Sequence, residues 1–471
     1  MARSCELRDV ELPEFGTPST EPTLDASMYR DRIGRFRERL TDEGYDAAVV
    51  YGDREHFANL AYLTGYDPRF EEALLVVDGD DGDDGGSPLL VVGNEGEGYV
   101  PTSPIGDELE VVLFQSFSLL GQDRDDSPDI QQVLRRGGVS HGDRVALAGW
   151  KHFTNAEFDH PETTHEVPAY LVEALRDLVG KRILVRNANA LFMDSSKGMR
   201  ATSDVDQLAR FEFAACHTSN AIRNVVVAVE PGMTEYEVVQ EMNMIGLPES
   251  CHLMLSAGER AHMGLPSPSS RTVERGDPFT TAYGVWGALN CRAGFVAEDA
   301  TGLPDAIDDY VNHLVKPYFR AVATWYETAS VGVEGGTLYD AVHEHVGDDF
   351  FGVELNPGHL IHLDEWVDSP VYEGSTDRLR SGMAVQMDII PATGTEYFTT
   401  NAEDGVVIAD ADLRERFRSA YPGAWDRIAR RRAFMRDELG IDVHPDILPL
   451  SNLAAHLPPF LLSPDRAVTF A

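Results

Sequence analysis

The sequence predicts an α/β domain followed by an α+β domain, and three observations carry this. Apolar strand-like runs alternate with helical spacing up to about residue 190. A long helical run, 203–229, then breaks the alternation. Beyond it, strand-like stretches at 277–297 and 382–409 are separated by helical stretches at 305–328 and 337–347. A length of 471 residues suits two or three domains, and 43% hydrophobic residues suffice for full cores.

Residues 1–27 are polar with Pro and Thr and read as an N-terminal arm. In 28–44, Tyr29, Ile33, Phe36 and Leu40 recur every three or four residues, the spacing of one helix face. YDAAVVYGD, EEALLVVDG and PLLVVGNEG follow as buried strands, with the Gly- and Asp-rich run 78–86 as a solvated hairpin loop. These segments make a first domain over 28–195. Ser203 or Asp204 caps the long helix, Pro231-Gly232 ends it, and Thr234-Glu235 opens the next. A second domain spans 200–412. The remainder, 413–471, holds one helix over 412–438, on which Arg430-Arg431-Arg432 reads as a solvated face or a dimer contact, and the tail ILPLSNLAAHLPPFLL, too apolar to be left in water. No repeat, P-loop or dinucleotide fingerprint is present.

The formal net charge is −40, and Lys151, Lys181, Lys197 and Lys316 are the only lysines. Arginine therefore carries the positive charge. An acidic, lysine-poor surface predicts a halophilic protein, and it repels nucleic acid and anionic membranes. Cys5, Cys216, Cys251 and Cys291 form no CxxC pair and read as free thiols. The first residues lack an apolar signal region and no stretch of about 18 apolar residues occurs, so a cytoplasmic location is expected.

The chemistry concentrates in Gly358-His359-Leu360-Ile361-His362-Leu363-Asp364-Glu365-Trp366, then Gly382-Met383 to Asp388, then Glu403-Asp404. His359, Asp388 and Glu403 stand on three successive apolar runs. Imidazole and carboxylate are the ligands of a divalent metal or the acid and base of a hydrolytic site. On an extended segment, alternation puts His359 and Glu365 on one face and His362 on the other, where His362 is a second acid–base candidate.

With these runs, GDREHFANLAYLTGY and MRATSDVDQLARFEFAA…VEPGMTEYEV make the chain resemble the aminopeptidase P, prolidase and creatinase family over about residues 30–410. The resemblance implies a creatinase-type α/β N-terminal domain and a pita-bread α+β C-terminal catalytic domain in a homodimer. Metal-dependent members hold two ions with two aspartates, a histidine and two glutamates. Here His359 falls on the histidine, Glu403 on the last glutamate, and Asp388 replaces the first glutamate with a shorter side chain. The two aspartates fall at Ala282 and Ala293, the catalytic histidine at Leu265, and the second histidine of the GHGxGxxxHE run at Trp366.

A dimetal site needs bridging carboxylates, so the expected cofactor is either none or one divalent ion on His359, Asp388 and Glu403. The expected catalytic set is His359, Asp388, Glu403, His362 and Glu365. The expected substrate contacts are Tyr283 and Asn290 by hydrogen bonds, Arg292 on a substrate carboxylate, His262 in place of the missing histidine, and Trp366. Cys291 is a nucleophile only if an imidazole lies near and its pKa is lowered. The implied activity is hydrolysis of a C–N bond in a small polar or dipeptide-like substrate. A non-catalytic binding protein, a mononuclear Xaa-Pro peptidase and a lyase are the alternatives.

Overall fold

The computed structural model describes residues 3–79, 86–125, 127–365 and 367–471. Most of the expected hairpin loop 78–86, and Trp366, lie outside the described residues. The chain divides into two compact units: residues 24–200, and residues 1–23 with 201–471.

Fifteen strands are described. In the unit 24–200 they are β2 (Ala47–Gly52), β3 (Ala73–Asp78), β4 (Leu89–Val92), β5 (Glu110–Leu113), β6 (Val145–Ala148) and β7 (Val185–Asn187). They form one mixed sheet in the order β5-β4-β3-β2-β6-β7. β2, β3 and β4 run antiparallel, whereas β4–β5, β2–β6 and β6–β7 are parallel. The central strands are apolar along their length because both faces are covered. One face packs Val49, Leu74, Val91 and Leu147 against Leu171 and Leu175 of the helix Ala169–Val179. The helix expected at 28–44 is found at Ala26–Asp42 and buries Tyr29, Ile33, Phe36 and Leu40. Asp25 caps it by accepting from the amides of Ser27 and Met28.

The second unit is built on an antiparallel sheet. Its strands are β8 (Met254–Ala257), β9 (Pro278–Val285), β10 (Ala288–Phe295), β11 (His359–Leu360), β12 (Ala384–Met387), β13 (Asn401–Ile408) and β14 (Ile447–Pro449). The order is β11-β12-β13-β10-β9-β8, with β14 added to β13. The helix Val205–Ala228 lies against β9 and β10, capped by Asp204, which accepts from the Gln207 amide. Thr234 and Glu237 form a reciprocal capping box on the next helix.

Three expectations are corrected here. The arm 1–27 is not a loose extension, because β1 (Cys5–Asp9) pairs antiparallel with β15 (Arg466–Phe470). The expected single helix 412–438 is two, Ala411–Ala420 and Pro422–Asp437, since Pro422 suits a first helical turn but not a helix interior. Arg431, on the second helix, is not solvated. It is fully buried and its guanidinium donates to Glu212 at 2.8 Å and to Asn452. The apolar tail packs onto the body, as its composition requires: β14 joins the sheet, and Leu453, Leu457 and Phe460 are buried. Among the described residues, no helix is long and apolar enough to cross a membrane.

Candidate functional site

Cross-strand register assembles the site. Cys291 on β10 lies opposite Ala282 on β9 and opposite Glu403 on β13. Directly opposed residues share a face, and the face repeats every second residue. Ala293, Cys291, Ala282 and Glu403 therefore share one face. Gly405 faces Gln386, which faces His359, so His359, Gln386 and Asp388 join it. This face forms a wall of a cavity of about 1370 Å³.

At the cavity wall, one donor atom each from His359, Asp388 and Glu403 lies within 4.8 Å of the others. His359 follows Gly358, which has φ +136° and whose added Cβ would stand 2.9 Å from the Gln386 carbonyl oxygen, so a side chain there would push β11 off β12. The His359 ring is fixed at both nitrogens. Nδ1 donates to the Leu360 carbonyl at 3.2 Å, and Nε2 faces Glu365 Oε1 at 3.3 Å and Asp388 Oδ2 at 3.9 Å. Gln386 Nε2 donates to the Leu289 carbonyl at 2.7 Å and to Glu403 Oε1 at 3.3 Å. Asp388 Oδ1 is buried with no hydrogen-bond partner in the protein.

Burial works against a charged His359, but the charge and hydrogen bond of Glu365, with Asp388 behind it, raise its pKa to about 9. Burial and the charge of Glu365 push Asp388 up to about 7 against the pull of His359. Glu403 is held well above the ordinary carboxylate range by burial and by Asp388 and Glu365, with Gln386 opposing. Two buried carboxyls this close do not both ionise readily.

The other expected contacts fall differently. His262 lines the cavity, its ring edge-on to Phe398 with centroids 5.3 Å apart, and Leu265 lies close by. Tyr283, Asn290 and Arg292 do not reach the cavity. They alternate with Ala282, Cys291 and Ala293 and so face the opposite side of the sheet. There Asn290 donates to Asp404 and Ser451, and Arg292 pairs with Asp404 at 2.8 Å and donates to the His456 carbonyl. His362 is buried against the Phe211 ring, centroids 5.2 Å apart, and is not on the cavity wall. The chain turns after β11, and that turn, not an extended strand, brings Glu365 to His359. Cys291 does line the cavity, but burial and the nearby Glu403 push its thiol pKa up, and its polar neighbours are Thr280 and Asn401 rather than an imidazole.

Among the described residues, one group of three that could hold a metal ion is found, His359, Asp388 and Glu403. Ala282 and Ala293 stand on the cavity wall where the resemblance calls for bridging carboxylates. One ion fits: the donor set is an imidazole and two carboxylates within 4.8 Å, and Asp388 keeps an unsatisfied oxygen.

Residues 209–411 match metallopeptidase family M24, and residues 32–97 match the creatinase/prolidase N-terminal domain. No curated protein matches the chain. Solved structures share its fold. A prolidase from Pyrococcus horikoshii OT3 aligns with a TM-score of 0.60 at 15% identity, covering 80% of this chain and 95% of that one. A dipeptidase PepE from Mycobacterium ulcerans aligns at 0.58 and 18%, covering 82% and 94%. An Xaa-Pro dipeptidase from Bacillus anthracis aligns at 0.59 and 14%, covering 82% and 96%. With a creatinase-type N-terminal domain followed by a pita-bread domain in one chain, the protein belongs to the aminopeptidase P and prolidase family.

Proposed function

We propose that the protein is a hydrolase of a C–N bond that works from His359, Asp388, Glu403 and Glu365 with at most one divalent ion. The observation that carries this reading is the convergence of an imidazole and two carboxyls within 4.8 Å on the wall of a large cavity. Groups with displaced pKa values in such a place suit acid–base work better than a packing role.

Asp388, titrating near 7, is the base. It takes a proton from a water whose oxygen attacks the substrate carbon. His359, held charged by Glu365, gives its Nε2 proton to the nitrogen as the C–N bond breaks. Asp388 then returns its proton to His359, which restores both groups. Glu403, held neutral and fixed by Gln386, hydrogen-bonds the attacked group. His359, Asp388 and Glu403 would hold one divalent ion if it binds, and that ion would polarise the scissile group and acidify water.

Elemental analysis of the purified protein, joined to a hydrolysis screen of amides, amidines and dipeptides, tests the reading. We expect no more than one equivalent of metal per chain and at least one substrate cleaved. Two stoichiometric ions would mean that other residues replace the aspartates. A ligand that raises the melting midpoint through His359 but is never cleaved would make the protein a binding member of its family.

A further inference from the structure

Acidic side chains outnumber basic ones on the cavity wall. Five acids line it: Glu365, Asp368, Asp388, Glu396 and Glu403. Among the described residues no lysine or arginine does. The guanidinium of Arg292 is carried by the same strand as Cys291 but lies on the far face, spent on Asp404. Arg260, beside the wall, is paired with the buried Glu235. His252 is tied to the Leu265 carbonyl at 2.9 Å, and His262 packs on Phe398. The one imidazole among the deep carboxyls, His359, faces three of them.

An anionic group entering this cavity would give up its water with only the His359 imidazolium to receive it, and that charge already faces Glu365 at 3.3 Å. A cation would meet Asp388 Oδ1, a buried carboxylate oxygen that no protein donor satisfies. Apolar side chains also line the wall, Met254, Leu265, Leu289, Ile390 and Phe398 among them. The volume of about 1370 Å³ exceeds what a single charged head would need. Ligand pockets commonly measure roughly 300–1,000 Å³.

We propose that the cavity takes an organic monocation with an apolar body and no carboxylate, its charged head seated at Asp388 Oδ1 and Glu365. This rests on the reading of the cavity as a substrate site and names the substrate class. It separates this chain from any that must hold the free carboxylate of a dipeptide. Glu365 is the specificity-determining residue. It fixes His359 through Oε1 at 3.3 Å and lines the cavity beside Asp388.

The test is an isosteric series on the full chain, freed of metal by chelation, in constant molar KCl: hexylammonium, hexanol and hexanoate, measured by calorimetry. We expect hexylammonium to bind at least tenfold more tightly than either of the others. Asp388→Asn and Glu365→Gln should each weaken it at least tenfold, with circular dichroism unchanged. If a variant fails to fold, the ranking of the three probes on the unaltered protein still decides. Equal or tighter binding of hexanoate, or binding of none of the three, overturns the proposal. So does binding of Mn²⁺ at Asp388 with no preference among the probes. Cation-selective binding, with nothing cleaved in a hydrolysis screen that includes cationic amides and amidines, would overturn the hydrolase reading and leave this one standing. Cleavage of a carboxylate-bearing dipeptide would do the reverse.

Discussion

His359 decides whether the site is catalytic. Its side chain is 16% exposed and its partners are a carboxylate and a backbone carbonyl, so it contributes little to the core. His359→Ala should lower kcat/KM about 10²–10⁴-fold, the usual scale for a positioned acid, while the melting midpoint moves by only a few degrees. Steady-state kinetics beside calorimetry measures both, and full activity would place the chemistry elsewhere. The pH profile follows from the same pair. Asp388 must be ionised to act as base, so kcat/KM of the metal-free enzyme rises as pH passes about 7. His359 must be protonated to act as acid, so the rate falls again above about 9. A flat profile between pH 6 and 10 would remove both roles. Elsewhere, His456 is buried and held neutral, its pKa pushed down to about 3 by burial and by Arg292 and Arg223. In the unfolded chain its imidazole titrates near roughly 6.5. Below that pH the unfolded chain takes up a proton that the native state refuses, so stability is lost as pH falls from 6.5 toward 3. His456→Gln should make this acid limb shallower in melting curves taken from pH 7 to 4. The placements of His359, Asp388 and Glu403 were legible because each follows its own short motif. Arg292, expected on a substrate carboxylate, is a misreading that alternation along β10 would have prevented: if Ala293 faces the cavity, Cys291 does and Arg292 cannot.

At the level of elements, the helix Val205–Ala228 and the helix Pro422–Asp437 share a buried charge cluster. Glu212 accepts from Arg427 and Arg431, and Arg431 also bonds Asn452. Removing one partner of a buried pair strands the other, which costs about 3 kcal/mol or more. Arg431→Ala should therefore lower the unfolding free energy by about that much, with Arg427 limiting the damage. Chemical denaturation measures it, and a change below about 1 kcal/mol would mean that the cluster is already wet. From the sequence, Arg430-Arg431-Arg432 reads as a solvated face or a dimer contact, since a run of like charges is ordinarily exposed on its own chain. The burial depends on Glu212, more than two hundred residues away, and no local pattern reports such a partner. The same holds for β1 and β15, which pair the two ends of the chain. The helix starts, by contrast, were readable from Asp204 and Thr234, because a cap acts within three residues.

Charge governs the behaviour of the whole molecule. A net charge of −40 with only four lysines sets carboxylates against one another across the surface, and this repulsion works against the compact state. The arginines cannot cancel it evenly, since several are spent inside, Arg200, Arg292 and Arg431 among them. Salt screens exposed charges over a Debye length of roughly 10 Å at 0.1 M and roughly 3 Å at 1 M. The buried pairs, Glu212 with Arg431 and Asp404 with Arg292, are screened far less, so salt relieves the repulsion without cutting these attractions. The thermal midpoint should therefore rise steeply between 0.1 and 2 M KCl. Salt also strengthens apolar burial in any protein, so the rise must be separated from that general effect. Sucrose, which is excluded from protein surfaces but carries no charge, is the control and should give a much smaller shift. Parallel sedimentation across the same series would report whether the chain assembles as the expected homodimer and whether salt holds that dimer together. A midpoint that is flat or falling with KCl, or one that sucrose reproduces in full, would sink the halophilic reading and leave the acidic composition without a stabilising role.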